Sequence, residues 1–309
     1  MQIVRGLESS PPDAGPSAVA LGAFDGIHLG HRAILGTAVA LARQGKIRAL
    51  ACTFDRHPME VLQPDRAPMP ITTLEERLEL IAGAGIDTTV VIPFTPAVAS
   101  VEAKAFVQDV LVGTLEAREI VVGFNHRFGR GARGDAQLLE SLAAPLGFRA
   151  HIVPALMVDG VAVSSSEIRA ALQRGDLPNA ERLLGRPYSI RGEVVRGAGR
   201  GRTLGFPTAN VKTERPLGLP VGVYVCRLLV GARQHQAVVN VGYRPTFGET
   251  DLSVEAHVLD FAGDLYDQTV TLTFLRRLRE ERKFPSVDAL KEQIALDVAA
   301  ARAAPLTAP

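Results

Sequence analysis

The chain has 309 residues, 47% of them hydrophobic and 22% charged, with a formal net charge of +1. That length allows two domains with a core each, and the balanced charge gives no bulk electrostatic case for nucleic acid or a membrane surface. Cys52 and Cys226 stand far apart and outside any C-x-x-C, which argues against a disulfide framework or a cysteine zinc site and fits a reducing compartment. Met1–Gly15 lacks the apolar core of a signal peptide and no apolar run approaches membrane-spanning length, so the expected location is cytoplasmic.

The first half alternates strand-like and helix-like segments. Ala18–Leu21 reads as a short buried strand, Gly30–Gln44 as a helix and Ile47–Phe54 as a second strand. Thr73-x-x-Glu76 is a capping box for a helix to about Ala84. Thr88–Ile92 then reads as a strand, and Val101–Val112 as a helix with Ser100 as N-cap. Glu119–Gly123 is a strand, Asp135 caps a helix to Leu146, and Arg149–Val153 is another strand. A second capping box, Ser164-x-x-Glu167, opens a helix to Arg174, and a further short helix ends near Gly185. Such alternation predicts an α/β domain with a parallel sheet, whose ligands bind beyond the carboxyl ends of the strands.

After Gly185 the pattern changes. Ser189–Val195, Gly222–Val230, Gln236–Val241, Val254–Leu259 and Thr269–Phe274 read as strands with no helix between them, which predicts an antiparallel barrel. Ser286–Ala303 closes the chain as an amphipathic helix, and the tail from Ala304 is expected to fray. Leu184–Pro187 is the expected linker, giving domains of 1–185 and 186–309.

The first candidate site is Gly22-Ala-Phe-Asp-Gly-Ile-His-Leu-Gly-His31, a turn from a strand end into a helix N-terminus. Free N–H groups and the helix dipole favour an anion there, His28 and His31 can face one bound group, and glycines at 22, 26 and 30 remove Cβ atoms that would keep a phosphate away. Asp55-Arg-His-Pro58 follows the strand ending at Phe54 and reads as a plain turn or as part of the site mouth. Gly123–Gly129 follows the strand at 119–123, and Gly129–Gly134 continues as an arginine-bearing loop, expected as a mobile flap over phosphates. In the second domain, Gly197–Asn210 holds four glycines in nine residues, so it is a loop, with Thr208 and Asn210 presented on one side after Phe206-Pro207. Spacing leaves two readings of it open: a solvated hairpin loop, or a hydroxyl and a carboxamide that bind Mg²⁺ and phosphate.

Together these pieces resemble the bacterial bifunctional riboflavin kinase/FMN adenylyltransferase family. Gly22–His31 is similar to its G-x-F-D-G-x-H-x-G-H signature, Ser164–Arg169 to S-S-T-x-I-R with serine at 166, and Gly123–Gly129 to G-x-D/N-x-R-F-G with His126 at a position that is often aromatic. Asp55–Pro58 resembles its F-x-x-H-P piece, and Gly201–Asn210 ends in the G-x-P-T-A-N motif of riboflavin kinases. Gly222–Tyr224, Asn240–Phe247, Val254–Asp260 and Leu278–Phe284 follow in the family's order. The resemblance implies a Rossmann-like nucleotidylyltransferase domain and a β-barrel kinase domain, which convert riboflavin to FMN and FMN to FAD with ATP as co-substrate and Mg²⁺ as cofactor. In the adenylyltransferase it implies catalytic His28, His31 and Arg169, phosphate contacts from Gly22, Phe24, Asp25, Gly30, Ser164, Ser165 and Ser166, and flavin contacts from Asn125 and His57. In the kinase it implies phosphate binding by Gly199, Gly201, Gly205 and Pro207, metal binding by Thr208 and Asn210, and Glu255 as the base. Alternation at 254–259 places Glu255 and His257 together on a polar face. No nucleic-acid or membrane partner is expected, and a homo-oligomer is left open.

Overall fold

The computed structural model describes residues 1–7, 15–197, 199–243 and 252–304. The part of the Asn240–Phe247 motif from 244 onward, residue 198 and the tail from 305 therefore lie outside the described residues. Contacts divide the chain into two compact units, Met1–Ser165 and Ser166–Pro309.

The first unit holds β1 (Gln2–Arg5), β2 (Ser17–Leu21), β3 (Arg48–Phe54), β4 (Thr88–Ile92), β5 (Ala117–Gly123) and β6 (Arg149–Val153). They form one sheet in the order β1-β4-β3-β2-β5-β6, with every pair parallel. The strands are joined by α1 (Leu29–Gly45), α2 (Pro58–Leu62), α3 (Leu74–Gly83), α4 (Pro96–Ala99), α5 (Ala103–Ala105) and α6 (Ala136–Leu146), and a small hairpin follows, β7 (Met157–Val158) with β8 (Val161–Ala162). β2 is buried along its whole length, as a strand covered on both faces must be, so it reads as a continuous apolar run. The two faces differ in bulk. Ala18, Ala20, Ala49 and Ala51 sit in the cluster with Leu35, Ala38 and Ala42 of α1, where small side chains admit the helix closely. Val19, Leu21, Leu50 and Cys52 face the cluster built around Phe106, Leu111 and Leu139.

One helix differs from expectation. Ser100 is the C-cap of α4 rather than an N-cap. The chain restarts at Ala103 with Glu102 as N-cap and then winds as a π-helix over Phe106–Thr114.

In the second unit α7 (Ser165–Gln173) and α8 (Leu177–Leu184) precede β9 (Ser189–Val195), α9 (Arg200–Thr203), β10 (Ala209–Thr213), β11 (Gly222–Val230), β12 (Arg233–Tyr243), β13 (Leu252–Val258), β14 (Thr269–Arg279) and α10 (Val287–Arg302). The strands close into a barrel in the order β10-β13-β12-β11-β14-β9, all pairs antiparallel. Five of the six strands are legible as alternating runs. The sixth, β10, is hidden because it begins inside the glycine-rich motif at Ala209. Tyr224, Cys226, Leu228, Val239, Val241 and Phe274 are fully buried inside. On the outer face Val223, Val225 and Val238 pack with Ala301 and Val298 of α10, which the buried Asp297 clamps to Arg279 at 2.8 Å. α8 packs on β14, and a Cβ at Gly175 would lie 3.2 Å from Pro220 and 3.3 Å from Arg277. Both helices therefore group with the barrel, ahead of the 185/186 junction expected from sequence.

Candidate active sites

The order of strands reverses between β2 and β5, the place where open parallel sheets bind ligands. The loop leaving β2 is tightly wound. Phe24 (φ +52°), Gly26 (φ +86°) and Ile27 (φ +37°) all take left-handed backbone, with Phe24 and Ile27 buried beneath it. His28 is the N-cap of α1, its Nδ1 accepting from the His31 N–H at 3.2 Å. A neutral imidazole that accepts at Nδ1 carries its proton on Nε2, which makes that atom a donor. The His28 and His31 rings stack at 3.6 Å, and Phe24 sets its edge against His31 at 5.3 Å. The first turn of α1 carries no acidic residue, so its dipole is open to an anion.

The glycines of this loop accommodate the chain's own atoms. A Cβ at Gly22 would lie 2.9 Å from the Phe24 ring, one at Gly26 3.1 Å from Ile71, and one at Gly30 3.1 Å from His28. The Asp25 carboxylate likewise turns inward. It accepts from the Ile71 and Thr72 N–H groups at 3.0 Å and from the Thr72 hydroxyl at 3.1 Å, while the Gly26 N–H donates to Thr72 Oγ1 at 3.0 Å. Ser165, the last residue of the first unit, donates through Oγ to the Asp25 carbonyl at 3.0 Å. Ser166 is exposed and Arg169 half-buried, one turn along α7.

A residue with no signature in the sequence completes this loop. Arg77 of α3 is buried and donates to the Ala23 carbonyl at 2.7 Å and the Phe54 carbonyl at 3.0 Å, with longer contacts to Thr53 Oγ1 and the Asp55 carbonyl. It thus joins the end of β2 to the end of β3. Burial pulls its pKa down, and Asp25, Glu60, Asp55 and Glu75 oppose that pull. His57, just beyond β3, is the N-cap of α2 in a capping box with Glu60; its Nδ1 accepts from the Met59 N–H at 3.1 Å. Burial disfavours the Asp55 charge, but the Phe94 N–H and Arg56 outweigh it and hold the carboxyl below its ordinary range.

Beside these strand ends lies a cavity of about 240 Å³, lined by Leu21, Phe54, Phe94, Phe106, Phe128 and His126 among others. The loop expected as a mobile flap forms part of its wall, at Gly129, Gly131 and Ala132. It is tethered. Arg130 N–H bonds the Val101 carbonyl at 2.7 Å, Arg127 pairs with Asp135 and Arg130 with Glu102, and a Cβ at Gly129 would lie 2.5 Å from Ala103. Asn125 is exposed at the end of β5, its Oδ1 beside Gly123.

In the barrel, register aligns Asn210 of β10, Glu255 of β13 and Asn240 of β12 in one row across three neighbouring strands. Glu255 Oε2 accepts from the Thr208 hydroxyl at 3.5 Å. His257 Nδ1 lies 2.9 Å from the Pro207 carbonyl, to which it donates, and its ring meets the Phe206 edge. Gly197 allows Asn210 in, since a Cβ there would fall 2.1 Å from its Nδ2. A Cβ at Gly201 would strike the Phe206 carbonyl at 2.4 Å. Gly199 (φ +70°) and Gly205 (φ +88°) take left-handed turns of this loop.

Residues 10–167 match the FAD synthetase family and residues 184–304 the riboflavin kinase family. The chain is 38% identical over 304 residues to the bifunctional riboflavin kinase/FMN adenylyltransferase of Pseudomonas fluorescens, covering 98% of this chain and 97% of that one. It is 37% identical over 305 residues to that of Escherichia coli K12, with the same coverage. This chain belongs to the bifunctional riboflavin kinase/FMN adenylyltransferase family. It is an enzyme of flavin cofactor biosynthesis. A solved structure described as a macrolide-efflux protein from Streptococcus pneumoniae superposes with a TM-score of 0.89 at 30% identity, covering 99% of this chain and all of that one. Among the described residues here, no helix is long and apolar enough to cross a membrane.

The sequence motifs mark the loops that meet at the strand ends, and Phe54–Pro58, Gly123–Gly129 and the loop that follows supply part of the cavity lining. The lining residues between Phe94 and Phe106 carry no motif, and for them only the preference of parallel sheets for ligands at this edge pointed toward the cavity.

Proposed function

We propose that the two activities divide at about 185/186, with FMN adenylylation N-terminal and riboflavin phosphorylation C-terminal. The observation that carries the adenylyltransferase reading is the apolar, aromatic-lined cavity at the ends of β2, β3 and β4, beside the α1 N-terminus with its paired histidines. FMN has these two parts: a flat apolar ring for the cavity, and a phosphate for the region of the histidines. Its phosphate attacks the α-phosphorus of ATP and pyrophosphate leaves, so the enzyme supplies alignment and donors for the shared charge. His28, His31 and Arg169 are those donors, with Ser164, Ser166 and the backbone at Gly22 and Gly30 assisting. Asp25, Phe24 and Ser165 hold the loop in shape. Asn125 and His57 border the flavin.

In the kinase, Glu255 takes the proton of the riboflavin 5′-hydroxyl as that oxygen attacks the γ-phosphate of ATP. Gly199, Gly201, Gly205 and Pro207 shape the phosphate loop. The Thr208 hydroxyl, Asn210 carbonyl and Glu255 carboxylate form a hard-oxygen donor set that suits Mg²⁺, and Thr208 and Asn210 would hold it. When bound, the ion offsets the charge of the ATP phosphates. His257 fixes the peptide preceding Thr208 through the Pro207 carbonyl. The protein acts in the cytoplasm, on small molecules, alone or as a homo-oligomer.

The test is a chromatographic time course with riboflavin, ATP and Mg²⁺, beside one started from FMN. FMN forms first and FAD later; Glu255→Gln blocks only the first step, and His31→Ala only the second, with a loss of about 3–4 kcal/mol in transition-state stabilisation. Near-normal adenylyl transfer by His31→Ala would remove that histidine from the mechanism.

A further inference from the structure

The barrel site has polar neighbours that neither proton transfer nor metal binding uses. Asn210, Glu255 and Asn240 form one row, and residues paired across antiparallel strands face the same side, with Cβ atoms about 5 Å apart. The row turns apolar at the next strand, where Asn240 pairs with Val223. Two residues along β12 from Asn240, about 7 Å away, Gly242 lies on this same face with no side chain of its own. The carboxylate of Glu281, from the segment after β14, reaches over it. A Cβ at Gly242 would lie 2.8 Å from Glu281 Oε1 and 3.2 Å from Asn240 Nδ2. One point above the strand is therefore within hydrogen-bond distance of an amide donor and a carboxylate acceptor. Both groups are reachable. Asn240 is half-buried and Glu281 exposed, and neither Asn240 Nδ2 nor Glu281 Oε1 is a buried atom lacking a partner among the described residues. Ser253, opposite Gly242, already donates its hydroxyl to the Gly242 carbonyl at 3.1 Å.

An amide N–H beside a carboxylate oxygen matches a hydroxyl, which accepts one hydrogen bond and donates another. The same pair repels a phosphate, because an ionised carboxylate only accepts. Nearby cations do not offset that charge: Arg279 forks onto Asp297 at 2.8 Å, and Arg282 bonds Gln293. The ATP phosphates are thus excluded from this point, and a neutral polyol fits it. Riboflavin carries secondary hydroxyls between its ring and the 5′-hydroxyl. A chain that starts with that 5′-hydroxyl at Glu255 and runs past Asn240 brings a secondary hydroxyl to Gly242.

We propose that Asn240 and Glu281, meeting over Gly242, are specificity-determining residues for riboflavin phosphorylation: together they hydrogen-bond one secondary hydroxyl of the ribityl chain. This rests on the reading of Glu255 as the base of the kinase site. The pair selects for the polyol tail and holds its 5′-hydroxyl in line with Glu255, and it makes no contact with ATP.

The experiment uses the full-length chain and measures kcat/KM of phosphorylation for riboflavin and for its 2′-, 3′- and 4′-deoxy analogues. The variants are Asn240→Leu, Glu281→Ala and Gly242→Ala, the last adding a methyl that occupies the meeting point. The thermal transition of the barrel, read by its tyrosines, checks that each variant is folded, and Glu255→Gln is assayed alongside. In wild type one deoxy analogue should fall about tenfold below riboflavin. Each variant should lower kcat/KM for riboflavin about tenfold and leave that analogue unchanged, so the preference disappears while KM for ATP stays at its wild-type value. A purely structural role would lower riboflavin and its analogues together. If wild type uses every deoxy analogue as well as riboflavin, or the preference survives in all three variants, while Glu255→Gln is inactive, the hydroxyl site is overturned and the kinase site stands. If Glu255→Gln phosphorylates riboflavin at a near-normal rate, the kinase site lies elsewhere and both readings fall.

Discussion

Replacing Arg77 with methionine tests whether the loop after β2 is held from beneath. Methionine fills much of the volume but removes the donors to the Ala23 and Phe54 carbonyls at 2.7 and 3.0 Å. Charge-assisted bonds of this length contribute about 1.5–3 kcal/mol each, or about 3–6 kcal/mol gross. Two terms return part of that. The Ala23 carbonyl keeps the Thr53 hydroxyl at 3.1 Å, and the variant no longer desolvates a cation, whose buried environment already pulls its pKa down. The net destabilisation of the first unit should be about 2–4 kcal/mol, which for a unit of this size lowers its melting point on the order of 5–15 °C.

The chain offers an internal control for this measurement. It has no tryptophan, and its four tyrosines, Tyr188, Tyr224, Tyr243 and Tyr266, all belong to the second unit. Tyrosine fluorescence therefore follows the barrel, while far-UV circular dichroism follows both units. Arg77→Met should lower the dichroism transition and leave the tyrosine transition in place. Arg77→Lys keeps the charge but not the fork that reaches both strand ends. It should raise KM for both ATP and FMN in adenylyl transfer and leave riboflavin phosphorylation unchanged. A dichroism shift below about 2 °C, or a lysine variant with wild-type KM values, would refute the clamp.

Further outcomes follow from the same contacts. His126 titrates at about 4 in the folded state against an ordinary 6.5, so between those values the unfolded chain holds a proton that the folded chain does not. Stability of the first unit should therefore fall as pH drops from 6.5 toward 4, by on the order of 3 kcal/mol. Urea midpoints at pH 7 and 4.5 should show that component in wild type and not in His126→Phe. Asp297→Ala leaves Arg279 without its bidentate partner beneath α10 and should cost the barrel about 3–5 kcal/mol, read as a lowered tyrosine transition; an unmoved transition would mean α10 adds nothing to barrel stability. Glu255→Gln should lower kcat of riboflavin phosphorylation by roughly 10²–10⁴ with FMN-dependent FAD synthesis intact. Equal losses in both steps would assign the residue to folding rather than to proton transfer.

Local signals in the sequence and nonlocal ones in the fold separate along a physical line. β2, α3 with its Thr73–Glu76 capping box, α6 with Asp135 and the barrel strands were legible because each rests on contacts within a few residues: a cap, a period of two, or a buried apolar run. β10 and the π-helix at Phe106–Thr114 were not. A strand that begins at the end of a glycine-rich loop shows no alternation until its partners are known, and no residue pattern distinguishes a π-turn from an α-turn in an apolar segment. The candidate sites divide in the same way. The spacing of His28 and His31 at a helix start made them candidates, while alternation put Glu255 only on a polar face and the resemblance alone made it a candidate base. Arg77 does not declare itself, because an arginine on a helix surface and one turned under a loop have the same sequence; only the carbonyls of Ala23 and Phe54, 54 and 23 residues before it, give it meaning. The Asp25 carboxylate makes the complementary point. Its place in the signature is consistent with a ligand contact, yet its oxygens face the Ile71 and Thr72 amides. A motif residue can therefore be required for the geometry that others use, and the loss of adenylyl transfer in an Asp25 variant would not by itself put its carboxylate on a phosphate.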